Sequence, residues 1–163
     1  MHSAAADGDH SACPLRAADV ERVIAIDRAH TGRSRSRFFE KRFAAAAARP
    51  HDFIAIGIRH GDALSGYAIA RILCGEFGRE QAVAVLDAFG VEPQSLERGV
   101  GRALIDELIA ALDRMGVRSL QSQADWDNSD LLRFFAASGF ALAPRLVLER
   151  SIAEPGRETS EEV

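Results

Sequence analysis

The stretch Ala82-Val83-Ala84-Val85-Leu86-Asp87-Ala88-Phe89-Gly90-Val91-Glu92-Pro93-Gln94-Ser95-Leu96-Glu97-Arg98-Gly99-Val100-Gly101-Arg102-Ala103-Leu104 decides how the chain is read. Residues 82–91 are almost continuously apolar, as in a central strand covered on both faces, and Asp87 is their one charged interruption. After the Pro93 loop, Leu104, Ile105, Leu108, Ile109, Leu112 and Met115 recur at helical spacing until Gly116 stops the helix. A strand, a glycine-containing loop and a strong helix bring successive backbone N–H groups and the positive helix end to one point, which suits a phosphate or pyrophosphate. Glycines at 99 and 101 let a ligand approach the backbone closely, although Gly-x-Gly before a helix also fits a plain tight turn. A Rossmann turn would carry a third glycine where Leu104 stands, and a Walker loop would need a Gly-Lys-Ser/Thr that is absent.

Working outward, Cys13 to Arg16 reads as a short strand, and Asp19 as the N-cap of a helix carrying Val20, Val23 and Ile24. A basic connection, Thr31-Gly32-Arg33-Ser34-Arg35-Ser36-Arg37, leads to a second helix with Phe38, Phe39, Phe43 and Ala44 to Ala48, closed by Pro50. Phe53 to Ile58 and Ala63 to Leu73 form a hairpin around His60-Gly61-Asp62. Beyond the decisive stretch, Val117 to Ala124 reads as a strand, and Asn128-Ser129-Asp130 as the cap of a helix ending at Gly139. Ala141 to Ile152 reads as a closing strand. The expected fold is a mixed α/β sheet in the order β-α-α-β-β-β-α-β-α-β, with residues 13–152 as one domain between tails at 1–12 and 153–163.

The chain has 163 residues, one domain's worth of sequence, and 47% of them are hydrophobic and 27% charged, which excludes wholesale disorder, collagen and coiled coil. A net charge of -4 argues against a dedicated nucleic-acid surface. Cys13 and Cys74 are too few for a disulfide framework or a zinc site, and His30, His51 and His60 show no ligand spacing, so no metal is expected. The absence of a run of 18 apolar residues and of signal-peptide order at the start leads to the expectation of a cytoplasmic protein without membrane contact.

Two blocks of residues together resemble the GNAT acetyltransferase superfamily. The first is Val91-Glu92-Pro93 followed by Leu96-Glu97-Arg98-Gly99-Val100-Gly101, matching Val-x-Pro and then Gln/Arg-x-x-Gly-x-Gly/Ala before an amphipathic helix. The second is Asn128, Leu131, Phe134 and Phe135 with Gly139-Phe140, matching an Asn, an apolar helix and Gly-Phe. The resemblance implies a mostly antiparallel sheet flanked by helices, and transfer of an acetyl group from acetyl-CoA to a primary amine by direct attack, without a metal or a covalent enzyme intermediate. It further implies that Leu96, Glu97, Arg98, Gly99, Val100, Gly101 and Arg102 cradle the pyrophosphate. Phe89, Gly90 and Val91 would present their backbone to the pantetheine as if to an added strand, and Asn128 and Phe135 would complete the cofactor site.

Two positions depart from the family pattern: Leu96 stands where Gln or Arg is usual, and Phe135 replaces a tyrosine that protonates the departing thiolate in many members. An acyl-CoA-binding module without catalysis is therefore the alternative reading. Homodimers are common in the superfamily, and the strand from Ala141 to Ile152 is a candidate participant.

Among single residues, strand alternation sets Asp87 on one face with Val85, Phe89 and Val91, making it a candidate base. Phe38, Phe39 and Trp126 are candidate walls of an acceptor pocket, and Glu76 a candidate lining residue. Negative charge overall favours a cationic acceptor such as a polyamine, an aminoglycoside or a lysine side chain.

Overall fold

The computed structural model describes residues 11–75, 78 and 80–150. Its elements run β1 (Ser11–Pro14), α1 (Val20–Thr31), α2 (Ser36–Ala48), β2 (Phe53–His60), β3 (Ala63–Leu73), β4 (Val83–Val91), α3 (Val100–Arg114), β5 (Leu120–Gln121) and α4 (Ser129–Ala137). The strands form one sheet in chain order. The pairs β1/β2, β2/β3 and β3/β4 are antiparallel, whereas the α3 crossover makes β4/β5 parallel.

Period-two alternation divides the sheet between two cores. On β3, Ala68 and Ala70 face α3, joining Ile54, Ile58, Leu86, Val91, Leu104, Ile105 and Leu108. Tyr67 and Ile69 face the helix pair α1/α2, with Val23, Ile26, Phe39, Phe53, Leu64 and Ala88. The apolar stripe 100, 104, 105, 108 and 112 seats α3, and burying Leu104 or Leu108 contributes roughly 1.5–3 kcal/mol each. Asp19 holds the start of α1 differently from a simple N-cap. Its carboxylate accepts from the Arg16 amide (2.8 Å) and from Arg59 (2.5 Å) rather than from a first-turn amide.

Three boundaries differ from the sequence reading. β1 begins at Ser11, two residues before the expected start. The strand expected over Val117 to Ala124 forms a ladder only at Leu120–Gln121, because it meets β4 at Ala84 and Val85 and then leaves it. No described residue from 141 to 150 is in a strand, and Leu142 and Leu148 are 97% and 90% exposed. A strand exists only where a neighbour's backbone takes up its hydrogen bonds, and alternating side chains do not supply one. Residues 151 and 152 of that expected strand, Glu76 and both tails apart from Ser11 and Ala12 lie outside the described residues.

Candidate functional site

The site is built where β4 loses its neighbour. On one side β4 pairs with β3 along its whole length, and the Glu92 amide continues this by donating to the Ser65 carbonyl at 2.8 Å. On the other side it pairs with β5 only at Ala84 and Val85. Backbone alternation then turns the N–H and C=O groups of Phe89 and Val91 away from β3, toward the unpaired side. Parity there is set by an irregularity in the register at Ile69/Ala70, where Ala70 pairs with Leu86 and Ile69 with Ala88, leaving Asp87 as the extra residue.

That bulge corrects the placement of Asp87. Phe89 and Val91 belong to the α3 face, whereas Asp87 lies on the α1/α2 face, 7% exposed, between Arg71 (Nε at 2.5 Å) and Arg42 (Nε at 2.9 Å). The carboxylate is closed by two guanidinium groups rather than turned toward Phe89 and Val91.

The edge leads directly into the turn before α3. Gly99 occupies the N-cap with φ 77°, a left-handed conformation that glycine adopts without strain. The Ala103 amide makes the first helical bond, to the Gly99 carbonyl at 3.0 Å, so the amides of Val100, Gly101 and Arg102 have no partner within the helix. Leu96, Glu97 and Arg98 are exposed on the preceding turn. Arg102 is tied to Asp106 at 3.2 Å and to the Ala137 carbonyl at 2.9 Å, joining α3 to the end of α4.

Gly101 does something the sequence did not reveal. A Cβ there would lie 3.1 Å from the Phe134 ring and 3.4 Å from the Phe89 ring, which stack on each other with centroids 5.2 Å apart. The glycine admits this aromatic pair beside the turn. Phe135 is buried against Phe134 and Phe140, and Asn128 caps α4 by accepting from the Leu131 amide at 3.2 Å.

The proposed pocket walls separate. Phe38 lies between two guanidinium groups, those of Arg35 and Arg42, each 5.1 Å from its ring centroid. Phe39 is wholly buried, edge-on to Tyr67, and so is core rather than wall. Trp126 is 89% exposed on the connection before α4.

His30, which the sequence reading weighed only as a metal ligand, closes on the site from the end of α1. Its Nε2 lies 2.5 Å from the Val91 carbonyl. A carbonyl only accepts, so Nε2 donates, and in the neutral form of the ring the lone pair lies on Nδ1. No spacing rule marks this residue, because the contact joins positions 61 apart in the chain. One turn earlier, the buried Asp27 accepts from Arg35 Nε (2.9 Å) and the Tyr67 hydroxyl (3.3 Å). Burial, and then the Asp27 carboxylate, push the Tyr67 phenol far above its ordinary range.

The family model for the acetyltransferase (GNAT) family matches residues 20–140. The chain belongs to the GNAT acetyltransferase family. It is an acyltransferase by that membership. Solved structures agree on the fold of this GNAT chain. An aminoglycoside acetyltransferase from an uncultured soil metagenomic sample superposes with TM-score 0.71 at 15% identity, covering 89% of this chain and 97% of that one. A transcriptional regulator from Bacillus halodurans gives 0.75 at 16%, covering 87% and 99%. An aminoglycoside 6'-N-acetyltransferase from Acinetobacter baumannii gives 0.72 at 14%, covering 87% and 97%. Among curated protein sequences, none matches the chain significantly. Among the described residues, no helix is long and apolar enough to cross a membrane, and no group of three or more His, Cys, Asp or Glu is placed to hold a metal ion.

Proposed function

We propose that this GNAT enzyme moves an acetyl group from acetyl-CoA to a primary amine at the open edge of β4. The supporting observation is that the Phe89 backbone and the Val91 amide, which no strand pairs on that side, lead toward the amides of Val100, Gly101 and Arg102, which have no partner within the helix. The first can pair with the amides of a pantetheine arm, and the second can hold its pyrophosphate at the positive end of α3. A thioester placed there meets an outward N–H of β4, which stabilises charge as it develops on the carbonyl oxygen.

The amine forms the C–N bond, the C–S bond breaks, and the electron pair leaves on sulfur, which then takes the proton shed by the new amide nitrogen. Phe135 has no proton to give and is buried among aromatic rings. A thiol's pKa of about 8.5 lets the thiolate leave without prior protonation. In this reading the proton lost by the incoming ammonium goes to Nδ1 of His30, since the Asp87 carboxylate is taken by Arg42 and Arg71. Asp87 then acts as a positioning residue that holds those two arginines.

Calorimetric titration with acetyl-CoA, with ATP and NAD as controls, tests the reading. It requires binding specific to CoA and release of free thiol with members of an amine panel. Binding without turnover on the panel would favour an acyl-CoA sensor, and absence of binding would remove the assignment. In an active enzyme, His30→Gln should leave acetyl-CoA affinity in place and lower the rate roughly 100-fold. An unchanged rate would exclude His30 as the proton acceptor.

A further inference from the structure

The stretch from Arg28 to Arg42 carries six arginine and lysine side chains against one carboxylate, Glu40, in a protein whose net charge is -4. The bond from His30 to the Val91 carbonyl places the start of this stretch at the open edge of β4, on the face opposite α3. Two of its cations are already committed, Arg35 to Asp27 and Arg42 to Asp87. Arg28, Arg33, Arg37 and Lys41 are exposed and make no ion pair with the described residues.

The carboxylates bordering the edge are in the opposite condition. Asp27 is closed by Arg35 and Tyr67, Asp87 by Arg42 and Arg71, and Glu92 by Arg22. A polycationic acceptor arriving here meets guanidinium groups and finds these acids occupied. Further carboxylates lie on other elements, for example Asp106, Glu107 and Asp113 on α3 and Asp125, Asp127 and Asp130 before and within α4, while Glu21 shares a surface groove with Arg28 and Ser34 and Glu97 is exposed on the turn before α3.

We infer that the acceptor of this enzyme is an amine that also bears an anionic group, a phosphate or a carboxylate, which Arg33 and Arg37 bind at the mouth of the β4 edge. Local charge around the entrance governs recognition more than net charge does, and guanidinium forks match both anions. This reverses the cationic preference drawn from the composition. It rests on the acetyltransfer reading for the amine, but not for the anion.

The test uses the full chain, wild type and Arg33→Gln/Arg37→Gln. Inorganic phosphate is titrated into the free and the CoA-saturated protein. Acetyl-CoA and its 3'-dephospho form are titrated in parallel. Thiol release is then followed with O-phosphoethanolamine against ethanolamine and with glutamate against putrescine. Phosphate should bind the CoA-saturated wild type, and the double variant should weaken it about tenfold without changing acetyl-CoA affinity. The anion-bearing amine of each pair should be the faster substrate, and the double variant should raise its KM with little effect on kcat. The inference falls if phosphate does not bind, if the double variant leaves phosphate affinity unchanged, or if ethanolamine and putrescine outrun their anionic partners. It falls equally if the double variant abolishes the preference for acetyl-CoA over its dephospho form, since the arginines would then serve the cofactor. Failure of acetyl-CoA to bind would remove the parent reading alone, because phosphate binding to the free protein still decides this one.

Discussion

Replacing Gly90 with alanine tests whether the open edge of β4 is held in place by Tyr67. A Cβ at Gly90 would lie 2.7 Å from Tyr67 Cε1 and 3.1 Å from its hydroxyl oxygen. Carbon atoms in contact prefer about 3.5–4.0 Å, so the clash is close to 1 Å deep. The ring has little room to withdraw: it is fully buried, edge-on to Phe39 at 5.7 Å, and donates its hydroxyl to Asp27. Either β4 shifts outward or the Tyr67–Asp27 bond breaks, and overpacking of this kind costs about 1–3 kcal/mol. In urea denaturation the variant should lose about 2 kcal/mol, equivalent to roughly 4–8 °C in Tm for a chain of this length. Acetyl-CoA affinity should fall with it, since the displaced residue sits between Phe89 and Val91. On a Tyr67→Leu background, where the ring is gone, Gly90→Ala should cost little, giving a coupling of at least about 1 kcal/mol. Equal destabilisation on both backgrounds, or none on either, would refute the claim that Tyr67 positions this edge.

Asp87→Asn should destabilise the fold by about 1–3 kcal/mol, because it leaves Arg42 and Arg71 facing each other with a neutral amide between them; acetyl-CoA titration should show unchanged affinity. The Tyr67 phenol is raised above its unfolded value of about 10, so the folded state keeps a proton that the unfolded chain releases. Stability is therefore fully present below pH 10 and declines above it by up to about 1.4 kcal/mol per pH unit, and Tyr67→Phe should remove that alkaline slope in a pH series of urea melts. At Asp19, burial raises the carboxyl, but the Arg16 amide and Arg59 outweigh it and hold the group below 3.8. Its contribution is present above that value and lost as pH falls through the depressed folded one. Asp19→Asn should cost about 1–2 kcal/mol at pH 7 and nothing at the acid end of the same series.

The elements of this protein were legible because they are local. Leu104, Ile105, Leu108 and Leu112 specify a helix with one buried stripe, and the apolar run from Val83 to Val91 specifies a covered strand, whatever surrounds them. The glycine turn before α3 was legible for the same reason: a strand, Gly99 and a helix N-terminus are contiguous. The reading of Asp87 went astray through a single inserted residue at the β3/β4 register, which an alternating pattern cannot show. Phe38 and Phe39 are adjacent in sequence and equal in chemistry, yet only packing made one a core residue and the other a platform between two arginines.

By itself the sequence determined the mixed α/β architecture, the family and the glycine turn before α3, since each depends on residues a few positions apart. The tertiary structure alone decided which carboxylates are free. Ion pairs such as Arg42–Asp87 and Arg22–Glu92 form between residues 45 and 70 positions apart, and no local pattern announces them. It also brought His30, at the end of α1, to the Val91 carbonyl, because side chains meet backbone edges only when the sheet has closed on its helices.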